Sequence, residues 1–151
     1  MWQSIITIIG TLAGAVTAGL IQQRATRADR TAGLREARRA ERVQAVTGLA
    51  VALADHRLAM VRREEIRLNE GADSPAYKAA RTRSHETRAA VTAPHATLSI
   101  LVPELAGAAQ AAVTAAYAIR GAEHQGFLEV ARAEAVRTAD ALIAAAALAT
   151  R

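Results

Sequence analysis

Cysteine is missing from the sequence altogether, which excludes a disulfide framework, a thiol nucleophile and any Cys-ligated metal site. Aromatic residues are nearly as scarce, at 3% of the chain. Strands draw on aromatic and β-branched side chains in alternating runs, and no long run of that kind occurs here. Proline appears only at Pro75, Pro94 and Pro103, so long stretches contain nothing that interrupts a helix. Lys78 is the single lysine, and every other basic side chain is arginine.

The chain is 52% hydrophobic, and most of that share is Ala, Val, Leu and Ile. Alanine has the best helix propensity and buries little area per residue. This mixture implies an all-α fold of thin, closely approaching helices rather than a thick core around a ligand pocket. A length of 151 residues fits one domain plus an anchor. The net charge of +5 is held mainly on arginine, which pairs bidentately with phosphate. It suits contact with anionic lipid or nucleic acid, although a G+C-rich genome encodes the same composition.

Trp2 to Ile21 contains no charged residue, and about 20 such residues cross a bilayer core. A cleaved signal peptide needs a positive segment before its apolar run, and an interfacial helix needs basic residues on its polar face. Neither feature is present, so residues 1–22 are expected to form a single transmembrane helix. On its far side come Arg24, Arg27, Arg30, Arg35, Arg38, Arg39 and Arg42, opposed only by Asp29, Glu36 and Glu41. The positive-inside rule then places the N-terminus outside the cell membrane and the C-terminal part in the cytoplasm. Residues 23–42 form a basic juxtamembrane helix whose arginines are the expected contacts to anionic lipid or non-specific DNA.

Within the span, Thr7, Gly10, Thr11, Gly14 and Ala18 fall on one side at about 100° per residue. Small residues let two backbones approach, and threonine hydroxyls bond across helices. That face is the expected site of self-association, giving a homo-oligomer. The alternative is a pore lined by the same threonines.

Residues 43–151 are expected to form a cytoplasmic helical bundle packed with the continuation of the first helix. Val43, Val46, Leu49, Ala50, Leu53, Met60 and Val61 recur at helical spacing, and Gly71 follows as a stop. Ser74-Pro75 is a start signal, with a Ser cap and Pro at the first helical position. Tyr77, Ala80, Val91, Leu98 and Leu101 line that helix, with Pro94 expected to kink or split it. Leu105, Ala109, Ala112, Ala116 and Ile119 line a third helix, and Leu128, Ala135, Ala139, Leu142 and Ala146 a fourth. Residues 96–119 are nearly uncharged, but Glu104, Gln110 and Pro103 favour a buried bundle helix over a second span.

No catalytic constellation emerges. His56, His85, His95 and His124 form no metal pair, and His85-Glu86 lacks the second histidine of a zinc protease helix because Ala89 stands there. No phosphate-binding glycine loop or nucleophile elbow is present. Each histidine reads as a satisfied surface or groove residue. Arg57, Arg62, Arg63, Glu64, Glu65 and Arg67 read as a solvated face with intrahelical ion pairs. The chain is therefore read as non-enzymatic, with no cofactor and no metal.

Three blocks carry a resemblance: MWQSIITIIGTLAGAVTAGLIQQR (Met1 to Arg24), AVTGLAVALADHRLAMVRREEIRL (Ala45 to Leu68) and SHETRAAVTAPHATLSILVPELAGAAQAAVTAAYAIR (Ser84 to Arg120). Together they resemble KilB-type proteins of mycelial actinobacteria. The resemblance implies membrane association, a part in the spread of plasmid DNA, and plasmid-transfer proteins as partners. It assigns no catalytic or binding residue. The function expected from all of this is a membrane-anchored helical scaffold or adaptor. The alternatives are a pore-forming, holin-like protein and a membrane-tethered DNA-associated factor.

Overall fold

A computed structural model of the chain describes the backbone of residues 2–149 and the side chains of residues 30–149. All regular structure among the described residues is helical: α1 (Trp2–Glu70), α2 (Pro75–Leu101), a short 3-10 turn (Pro103–Leu105), α3 (Ala106–Tyr117) and α4 (Gln125–Ala149). The chain divides into two compact units, residues 1–40 and 41–151, and α1 contributes to both. Among the described residues no helix is long and apolar enough to cross a membrane. The expected span, with Thr7, Gly10, Thr11, Gly14 and Ala18, lies outside the residues whose side chains are described, as do Arg24 and Arg27. Residues 96–119, weighed above as a second span, are split between α2, the 3-10 turn and α3.

The local signals account for the helix ends. Gly71 takes φ +87° and donates its N–H to the Arg67 carbonyl at 3.1 Å, which is the left-handed stop that glycine adopts without a Cβ penalty. Ser74 caps α2, its hydroxyl accepting from the Tyr77 N–H at 3.1 Å, with Pro75 at the first helical position. Gly121, at φ +82°, turns the chain after α3.

α2 runs unbroken through Pro94, so the expected split does not occur. Proline deletes one backbone hydrogen bond and crowds the preceding turn. Here Val91 and Leu98, on either side of it, are 1% and 0% exposed, and their burial holds the helix together across the defect.

The larger core cluster joins Leu49 and Leu53 of α1 with Val91 and Leu98 of α2, Leu105 of the turn, Ala109, Ala112 and Ala116 of α3, and Leu142 and Ala146 of α4. A smaller cluster unites Met60 and Val61 with Ala115, Ile119, Leu128 and Ala135. All five residues expected to line α3 are buried. Two expected positions are exposed: Val43, with Ala45 and Val46 buried beside it, and Leu101, where Val102 is buried; Ala50, Ala80 and Ala139 are only partly buried. The inward row of α1 begins at Ala45 and Val46, and that of α2 passes from Leu98 to Val102, skipping Leu101.

Candidate functional site

Two features carry the chemistry of the described residues: the exposed arginines of α1 and a polar layer inside the bundle. Arg30, Arg35, Arg38 and Arg39 are all exposed on α1. Arg42 is different, because it is half-buried and its Nη1 lies 3.5 Å from Glu104 Oε1. Its charge ties the start of the bundle segment of α1 to the 3-10 turn.

The polar layer lies on the inward face of α1, where Leu49, Leu53, His56, Met60 and Glu64 follow one another at helical spacing and all are buried. The His56 ring is 1% exposed. Its Nδ1 is 3.0 Å from Thr87 Oγ1, and Thr87 in turn donates to the carbonyls of Arg83 and Ser84 at 3.2 Å. A neutral imidazole with its proton on Nδ1 satisfies both groups, since the hydroxyl has one proton to give and can accept one. Tyr117 of α3 meets the His56 ring edge-on at 5.1 Å, and the Arg88 guanidinium stacks 4.4 Å from the centroid of Tyr117. The sequence reading of His56 as a surface or groove residue is corrected here: it links three helices from within.

Burial, and secondarily the Arg88 charge, lower the His56 pKa from 6.5 to about 4. The folded state therefore binds a proton less readily than the unfolded chain, and stability rises with pH through this group. The contribution is complete above pH 6.5, fades as pH falls, and is exhausted below about pH 4. A shift of this size corresponds to roughly 3 kcal/mol. Denaturant midpoints measured at pH 7 and pH 4.5 should show this loss, and a His56→Asn variant should flatten that part of the profile.

Further along α1 the expected solvated charge cluster is also partly internal. Glu64 is fully buried and Arg63 nearly so, while Arg62 is exposed. Glu64 Oε2 accepts from Arg67 Nε at 2.6 Å and from the Gly121 N–H at 3.2 Å. Arg67 also donates to the Ala122 carbonyl. Arg63 Nη2 donates to the Tyr77 hydroxyl at 3.0 Å, and its Nε lies 3.7 Å from Glu64 Oε1. Glu64 thus pins the α3–α4 turn to α1. The signal for it was present in the sequence, because Glu64 continues the row of Leu49, Leu53 and Met60.

The surface grooves are shallow. One, of about 400 Å³, lies along the α3–α4 turn and is lined by Ile119, Arg120, Phe127, Val130 and Glu134. Among the described residues, no three His, Cys, Asp or Glu side chains gather where a metal ion can be held.

Comparison with known proteins places this helical bundle among plasmid transfer proteins. Residues 43–150 match the family model described as KilB plasmid transfer protein, and the chain belongs to that family. It is 52% identical over 147 residues to Protein KilB of Streptomyces lividans, an alignment covering 97% of each chain. The resemblance carried by the three sequence blocks is thereby met. No solved structure matches the chain.

Proposed function

We propose that the chain acts in plasmid transfer as a membrane-anchored, self-associating helical scaffold. Family membership supports the process. The observation that carries the anchoring is the order of the sequence, an uncharged run from Trp2 to Ile21 followed at once by arginines from Arg24 to Arg42. In this reading residues 1–22 cross the bilayer and the bundle sits in the cytoplasm. Each basic residue near an anionic leaflet adds about 1 kcal/mol of attraction. Thr7, Gly10, Thr11, Gly14 and Ala18 bring copies together within the membrane. The bundle then offers its outer surfaces to other transfer proteins.

The test uses the full chain in native membranes. Carbonate washing should leave it in the pellet, and photo-crosslinking should give a discrete oligomer that weakens in Gly10→Ile and Gly14→Ile. Release by carbonate overturns the anchoring. A crosslinking pattern unchanged by both substitutions overturns the self-association.

A further inference from the structure

The arginines of α4 are neutralised within their own helix: Arg132 lies 3.8 Å from Glu129, and Arg137 2.6 Å from Glu134. α2 is different. It carries Lys78, Arg81, Arg83 and Arg88 against Glu86 alone, and Glu86 is taken up by Arg83 at 3.2 Å. No carboxylate among the described residues lies within 4.0 Å of the charged group of Lys78, Arg81 or Arg88. Together with His85, these residues stand at positions 78, 81, 85 and 88, a spacing that puts them on one flank of the helix, and all four are exposed. The row spans about 15 Å.

The helix that this row meets at Arg88 adds no charge of its own. α3 has no charged residue from Ala106 to Tyr117. The Arg88 guanidinium rests on the Tyr117 ring, so the row meets the last residue of α3 at its Arg88 end. Gln110, Thr114 and Tyr117 follow one another along that helix at positions 110, 114 and 117, and Gln110 donates to Thr114 at 3.2 Å. The exposed large apolar residues of α2, Ile100 and Leu101, sit at its opposite end. This flank is therefore a straight, positive, polar strip with no apolar residue that can dip below a headgroup layer.

We propose that the Lys78–Arg81–Arg88 flank of α2 binds the phosphate backbone of nucleic acid. A nucleic acid strand offers one phosphate about every 3.4 Å of duplex axis, so a strip of this length lies against several at once. Arginine engages phosphate through two parallel N–H donors. A bilayer instead presents a plane of charge and takes apolar side chains beneath it, which this strip lacks. Contacts to phosphate alone hold any sequence, so the binding is non-specific. This surface is separate from the arginines of residues 24–42 and does not depend on the membrane reading.

The experiment titrates the full chain, held in nanodiscs of zwitterionic lipid, with a fluorescent 20-base-pair duplex and reads anisotropy between 50 and 200 mM salt. Three phosphate contacts should weaken binding roughly 40-fold across that range. In Lys78→Gln/Arg81→Gln/Arg88→Gln that share of the salt dependence should vanish, and the logarithmic slope should fall by about one per charge removed. The double variant Lys78→Gln/Arg81→Gln leaves the Arg88–Tyr117 stack in place and should lose about two. Lys78→Arg should bind as the parent does. Binding that is absent, or that the α2 variants leave unchanged while neutralising Arg24 to Arg42 abolishes it, overturns the proposal. So does α2-dependent capture of anionic vesicles or polyglutamate with none of duplex DNA.

Discussion

Replacing Glu64 with alanine should destabilise the bundle by about 3–5 kcal/mol, the usual result of removing one partner from a buried ionic group. Three contacts end together. The Arg67 Nε bond and the Gly121 N–H bond lose their acceptor, and the neighbouring Arg63 guanidinium is left buried beside no negative charge. Arg67 keeps its bond to the Ala122 carbonyl, but one of the two ties between α1 and the α3–α4 turn is gone. Domains of this kind are stable by only about 5–15 kcal/mol in total, so the variant should melt roughly 10–20 °C lower. Glu64→Gln retains an acceptor for Gly121 and should fall in between. Glu86→Ala is the control: its pair with Arg83 is exposed on both sides and is worth less than about 1 kcal/mol. Equal melting temperatures for the Glu64 and Glu86 variants would show that the buried carboxylate has no such role.

Leu98→Ala should be the second large loss. Leu98 is 0% exposed at the centre of the larger core cluster, and truncating a buried leucine costs about 2–5 kcal/mol, rising with the cavity left behind. The site lies one turn beyond Pro94, where the helix lacks a backbone hydrogen bond. Its side chain therefore stabilises both the core and the continuity of α2. Circular dichroism should show a lower melting temperature together with some loss of helix in the folded state. Ile100→Ala, two residues away and 78% exposed, should change stability by less than about 0.5 kcal/mol.

Much of the fold was legible in the sequence because its helices are written plainly. Leu105, Ala109, Ala112, Ala116 and Ile119 recur at helical spacing, and all five are buried. Ser74-Pro75, Gly71 and Gly121 mark ends by backbone chemistry that acts locally. Pro94 does not split α2 because its cost is local while the compensation comes from residues packed on other helices. His56, Arg63 and Glu64 were misleading for a related reason: a polar side chain reads as exposed until its partners are known, and Thr87, Tyr77 and Gly121 are distant in sequence. The row Leu49, Leu53, His56, Met60, Glu64 contained the clue, since spacing predicted burial where residue type argued against it. The unpaired flank of α2 was hidden in the same way. Its distinction lies in the carboxylates that are not beside it, and only the folded chain shows which pairs form.

The two polar positions on the inward face of α1, His56 and Glu64, also set how that helix can move. A slide by one turn, about 5.4 Å, would bring Met60 opposite Thr87 and push a carboxylate into hydrocarbon. No intermediate register is tolerable, so α1 cannot creep along its neighbours. A pull along its axis would be resisted as by a notched key, up to the load at which the whole lock gives way.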